Sequence, residues 1–332
     1  QRQMCIRVSR LWWFQGASML RTESTQETGL TGKYSFAIAW GDQVLPLPSS
    51  KTTCRPRRRF WVCPATALGA EGSARQISNG GETMSTPEVA WDMGTAYDLF
   101  MSLVVLHKPA EFGVRGAWAA GVRARLSAQD RETLEKSHLL WGVPFHWIYT
   151  LPEPKDAAAA LWALGQVPAL DRVRLLAVSP ESCSDTRQLL GEVAARRAWT
   201  ESDLEALQAA YQASHKHGEG KKALSVEKVT KILDLWAGAE EYGEQYLEAL
   251  RNYQEVFFAE EERRIRPALQ AALERAQELA GRISLLDLLE ELTQGVRLDT
   301  PPEGDTLMLV PSYWSTPLVL MGMASKERPV WL

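Results

Sequence analysis

The chain has 332 residues, 45% hydrophobic and 23% charged, with 13 Trp and a formal net charge of −4. That length suffices for one large buried core or two ordinary ones. The charge is divided, with 11 Lys and Arg against 5 Asp and Glu in residues 1–83 and 26 against 36 in 84–332. A body with a balance of −10 argues against direct binding of a polyanion, which needs clustered Lys and Arg.

No apolar run reaches the roughly 18 residues that a membrane-spanning helix needs. The apolar patch Leu11-Trp12-Trp13-Phe14 near the amino end is too short for the core of a signal peptide. Cys5, Cys54 and Cys63 lie in the first segment, so Cys183 is alone in the body and no internal disulfide is expected there. A cytoplasmic protein without membrane contact is the expectation.

Residues 1–83 show neither sustained helical periodicity nor paired strand patterns, and place Lys51, Arg55, Arg57, Arg58 and Arg59 around a Pro-Ser-rich stretch. They are expected to be largely unstructured, translated upstream of a natural start at Met84. The alternative is a basic arm that touches nucleic acid through Arg57, Arg58 and Arg59. From Met84 the pattern predicts a helix, opened by Ser85, Thr86, Pro87 and Glu88 and carrying Val89, Met93, Ala96, Tyr97, Phe100, Leu103 and Val104 on one face.

A second helix is predicted over 113–126, with Trp118 and Val122 on one face, and a third after the Ser127–Asp130 capping pair. Trp141 to Pro144 breaks the pattern, and 145–151 reads as aromatic and extended. Helices follow over 156–164 and about 184–197, then from a Thr200–Asp203 cap to about His217, and from Ser225 to Trp236.

The strongest period comes next. Tyr242, Tyr246, Leu247, Leu250, Tyr253, Phe257, Phe258, Ile265 and Leu269 recur at about 3.6 residues per turn, in a long helix that Pro267 should kink or divide. Ser284 and Asp287 cap a short helix that Gly295 ends. The apolar runs 306–310 and 317–321 then predict a hairpin across Pro311 to Thr316, with a second turn at 326–328 before Val330-Trp331-Leu332. The chain is expected to continue past Leu332, because it stops inside that third apolar run. The fold class expected is therefore mainly α: a helical domain over 84–300 with a long kinked helix, and a small β-hairpin within 301–332.

The templates for catalysis are absent: no His-Glu-x-x-His, no phosphate loop, no Gly-x-Ser-x-Gly elbow and no glycine-rich dinucleotide turn. No catalytic residue, cofactor or metal site is expected. His215 and His217 suit a helix end better than a metal. Glu240, Glu241 and Glu244, and Glu260 to Glu262, lie mainly off the apolar stripe and read as a solvated face, without the Glu-x-x-His spacing of a bundle metal site.

Two sites remain as candidates. Trp118, Trp141, His146 and Trp147, with Phe145 and Trp162 nearby in sequence, could wall a pocket for a small organic ligand, an ordinary core being the plainer alternative. Tyr242, Tyr246, Leu250, Tyr253 and Phe257 could form a dimer interface if the stripe is partly exposed.

The run Trp91-Asp92-Met93-Gly94-Thr95-Ala96-Tyr97-Asp98-Leu99-Phe100 with Ser102-Leu103, the helix around Trp118, the long helix from Ala239 to Phe258, and Val310-Pro311-Ser312-Tyr313-Trp314-Ser315 carry a resemblance. In this order they resemble bacterial transcription regulators of the ArsR-like type, in which a helical amino-terminal domain precedes a winged helix-turn-helix. The resemblance covers about 84–332 and implies a homodimeric regulator responding to an unidentified effector. Its DNA contacts would be made by a winged helix absent from this chain. The body lacks the clustered cysteines of metal-sensing relatives, so metal sensing is not implied. A helical protein–protein module with no DNA partner is the alternative, and a small-molecule enzyme around Trp141 and His146 a further one.

Overall fold

The computed structural model describes most of residues 86–332, leaving out 215–224 and a few single positions, and of the earlier chain only short strands. Those early strands are β1 (Arg10–Trp12), β2 (Ile38–Trp40), β3 (Gln43–Leu45), β4 (Arg55–Arg57) and β5 (Phe60–Val62). The pairs β2–β3 and β4–β5 are antiparallel and belong to a unit that is separate from the rest. The expectation for 1–83 otherwise lies outside the described residues, as do Arg58, Arg59, His215 and His217 and the first three cysteines.

The main unit is mostly helical, as expected. It opens with a strand, however. Glu88–Trp91 forms β6, which runs parallel to β7 (Thr306–Leu309), and the helix α1 begins only at Thr95 and ends at His107. The spacing of Val89 and Met93 mimics a helical face, but pairing with a strand more than 200 residues away in the chain overrides it. Helices α2 (Gly116–Arg123), α3 (Ala128–Ser137), α4 (Phe145–Ile148), α5 (Ala157–Gln166), α6 (Ala169–Ala177), α7 (Ser184–Arg196), α8 (Glu201–Ser214) and α9 (Val226–Ala237) follow. The 145–148 segment is a helical turn rather than extended chain, and α6 has no counterpart among the predicted elements.

Local capping is as the sequence indicates. Ser127, Ser225 and Ser284 each accept a hydrogen bond from the backbone N–H three residues on. At α8 the roles reverse, and the Asp203 carboxylate accepts from the Thr200 N–H and hydroxyl.

The long helical rod runs from α10 (Ala239–Tyr253) through a π-helical turn at Gln254–Phe258 into α11 (Ala259–Ala280). Pro267 does not divide it. The residue lies on the exposed side, as does Arg263, whose carbonyl loses its i+4 donor, so water can serve that oxygen. The irregularity lies instead at the π-turn, where Arg125 Nη1 donates to the Val256 carbonyl at 3.2 Å.

A short helix, α12 (Leu285–Leu292), precedes the last three strands of the main sheet. Its strand order is β1-β8-β9-β7-β6, with β8 (Val319–Ser325) and β9 (Arg328–Trp331) forming the carboxyl-terminal hairpin. The hairpin is thus one strand later than predicted. β9 inserts beside β7, parallel to it, and residues 310–316 belong to a crossing connection rather than a tight turn. Side chains of β7 alternate between two cores: Met308 faces the main helical core, while Leu307 and Leu309 face a smaller one with Leu288, Leu289 and Leu292 of α12.

Candidate functional site

Helix α1 is buried on every side from Thr95 to Leu106. A helix enclosed in this way normally carries apolar residues all round, yet Thr95, Asp98 and Ser102 lie along it at i, i+3 and i+7, just after the buried Asp92. The result is a polar seam, and each member meets a different part of the chain.

Asp92 Oδ2 accepts from Lys155 Nζ at 2.6 Å and from the Tyr97 hydroxyl at 2.6 Å, while Oδ1 accepts from the Met93 N–H. Lys155 also donates to the Tyr149 carbonyl at 2.9 Å and lies 5.0 Å from the centre of that ring. Burial, then the neighbouring Asp92 charge, raise the Tyr97 pKa, so its hydroxyl stays a donor. All three side chains are nine-tenths buried or more. They act as a clamp between β6, the start of α1 and the 149–155 loop.

Thr95 donates to Glu262 of α11, whose Oε1 also accepts from the first N–H of α5, that of Ala157, at 3.1 Å, and pairs with Arg266 at 3.2 Å. Glu262 is buried, which corrects the expectation of a solvated face for 260–262; Glu260 alone of the three is exposed. Ser102 accepts from the Tyr253 hydroxyl of α10 at 2.9 Å and donates to the Leu99 carbonyl.

Asp98 makes the most demanding contact. Its Oδ1 accepts from the Ser312 hydroxyl at 2.8 Å and from the N–H groups of Tyr313 at 3.0 Å and Trp314 at 2.9 Å. Its Oδ2 is buried with no hydrogen-bond partner, as are Ser315 Oγ and Trp314 Nε1 in the same loop. Burial raises the Asp98 pKa to about 6 against the lowering effect of the three donors. Around this joint Trp314 stacks on Trp118 at 4.9 Å, and Phe257 meets both edge-on. Arg264 lies over the Tyr313 ring at 4.6 Å and is bonded to Glu261.

The aromatic residues singled out as pocket walls do not converge. Trp118 belongs to the Trp314 joint, Trp147 meets Phe100 edge-on, and His146 is half-buried with Nε2 at 2.8 Å from the Leu175 carbonyl oxygen. Trp141 packs against Tyr242 and Tyr246 and donates to the Tyr246 hydroxyl. Trp162 is exposed. Beside Trp141 is a cavity of about 10 Å³, room for about one water, lined by Phe100, His107, Ser137, His138 and Tyr246 among others.

Of the predicted interface, Tyr242, Tyr246, Leu250 and Tyr253 are buried within the chain, and Phe257 is half-buried in the Trp314 joint. The stripe is covered by α3 and α6, so those four side chains are core rather than a surface open to a second copy.

His107 and His138 stack at 5.0 Å beside the cavity. Burial lowers their pKa values to about 4 and about 3; positive charge on Arg123 adds to the first, and the partner ring to the second. Both are therefore neutral near pH 7. A lowered folded pKa means that stability is complete above the ordinary value of 6.5 and is lost as pH falls toward 4. Each ring is expected to remove about 2 kcal/mol between pH 7 and pH 5, offset by about 1 kcal/mol gained as Asp98 protonates. Urea unfolding at pH 7, 6 and 5 measures the loss, and His107→Leu should roughly halve the histidine part. An unchanged acid slope in that variant would contradict the assignment.

Among the described residues, no three His, Cys, Asp or Glu side chains are grouped to hold a metal ion, and no helix is long and apolar enough to cross a membrane. The polar seam was not legible as a site, because its residues read as isolated polar positions within a helical period. Comparison with protein-family models, characterised proteins and solved structures finds no match to this chain.

Proposed function

We propose that residues 84–332 form the regulatory region of an ArsR-like transcription regulator, in which the packing of the helical body sets the position of a DNA-reading winged helix following the hairpin. The observation that carries this is the Asp98 joint: one carboxylate oxygen of the buried α1 holds three consecutive residues of the loop leading into β8 and β9. A change in the packing of α1 would reach the β8–β9 hairpin through these bonds. The acidic body suits a part that does not itself touch phosphates. A homodimer fits this function, since paired half-sites demand a fixed spacing. Its surface would lie outside the buried Tyr242–Tyr253 stripe.

The test is to read the gene past Leu332 and express the longer product. A winged-helix pattern, with duplex binding that weakens steeply as salt rises, is the expected result. A stop codon at that point, or a longer product that ignores DNA, would count against the proposal.

A further inference from the structure

We propose that Asp98 is a proton-operated latch on the 312–315 loop: uptake of a proton by its second carboxyl oxygen tightens the hold of α1 on the segment that leads into the β8–β9 hairpin. The inference stands on the geometry of this chain and does not depend on the proposed function.

Three donors converge on Oδ1, and Oδ2 lies buried with none. An ionised carboxylate spreads its charge over both oxygens, so half of that charge lies against protein without compensation. When the joint opens, Asp98 meets water and returns to an ordinary carboxylate. The closed form therefore binds a proton more tightly than the open form, and by linkage acid favours closure. Oδ1 still accepts hydrogen bonds after protonation, and the loop itself carries an oxygen without a partner, Ser315 Oγ.

The surrounding charges point the same way. Glu261 of α11 disfavours a second negative charge at Asp98. Arg264 is bound to Glu261 and lies over the face of Tyr313, and among the described residues no Lys or Arg is paired with Asp98. From α10, Tyr253 donates its hydroxyl to Ser102, and burial keeps it protonated throughout the range. On α1 itself, Tyr97 also stays protonated, and His107 at the far end titrates near 4. With Asp98 titrating near 6 when closed and near 3.8 when open, the loop should open about tenfold less often at pH 5 than at pH 7.5.

Amide hydrogen exchange over residues 313–325 of the full chain, corrected for intrinsic rates, reads this directly. Asp98→Asn keeps the shape and an acceptor and removes the charge. Its protection at pH 7.5 should match or exceed that of the parent at pH 5, and should lack the tenfold acid response. Subtracting its profile also removes any contribution from His107 and His138. A parent with no gain in protection on acidification, or an Asn variant that keeps the gain, would overturn the latch. If Asp98→Asn does not fold, the carbon-13 shift of the Asp98 carboxyl in the parent decides. A midpoint near 6 supports the proposal, and one at or below 4 refutes it.

Discussion

Replacing Lys155 with methionine is expected to lower the unfolding free energy by about 3 kcal/mol, near the lower end for breaking a buried ion pair. The side chain fills the same volume, so packing is nearly kept. The lost interactions are the 2.6 Å contact with Asp92 and the bond to the Tyr149 carbonyl. Asp92 would remain buried with only the Tyr97 hydroxyl and Met93 N–H to support its charge. Adding Asp92→Leu should recover much of the loss, because the uncompensated charge is then gone. Urea unfolding of the two single variants and the double measures this. Losses that simply add would show that the two side chains are not a pair.

Gly243→Ala is expected to destabilise by about 2–3 kcal/mol or more, although alanine is favoured over glycine in a helix interior by about 1 kcal/mol. Steric contact reverses the sign. A Cβ at 243 would fall 2.1 Å from the Ala169 carbonyl oxygen, which belongs to the backbone of α6 and has no side-chain freedom to yield. The same face holds Arg172, buried, which donates to the carbonyls of Leu164, Val167 and Gly243 and pairs with Glu244 at 2.9 Å. Pushing α6 from α10 strains all of these. Gly191→Ala in α7 is the control, since nothing lies within 4 Å of its Cβ, and it should stabilise by about 0.5–1 kcal/mol. Thermal unfolding of both variants gives the comparison, and a Gly243→Ala protein as stable as the parent would contradict the close approach.

What the sequence disclosed was local. The Ser127, Ser225 and Ser284 caps concern residues three apart and are readable as such. The Tyr242 to Leu269 stripe is a period along one rod, and its buried side is as predicted, but a period alone does not say whether a second copy or the same chain covers it. The π-turn at 254–258 lies where the buried positions change phase, from Tyr242, Tyr246, Leu250 and Tyr253 before it to Phe258, Ile265 and Leu269 after it, a step of about one residue.

The polar seam depends on partners far along the chain. Lys155 is 63 residues from Asp92, Glu262 is 167 from Thr95, and Ser312 is 214 from Asp98. No spacing rule within a window of helical length could join them. The strand at 88–91 escapes such rules for the same reason, since its partner β7 lies near the other end of the chain.

On this account α1 binds the helical body and the carboxyl-terminal hairpin into one mechanical unit. Native-state hydrogen exchange on the Lys155→Met variant tests it most directly, because the bonds of Lys155 go to Asp92 and the Tyr149 carbonyl rather than to Asp98. If α1 is the shared element, residues 95–106 and 313–325 should lose protection together and by a similar factor. If 95–106 loosen while 313–325 keep the protection of the parent, the body and the hairpin move independently and α1 does not join them.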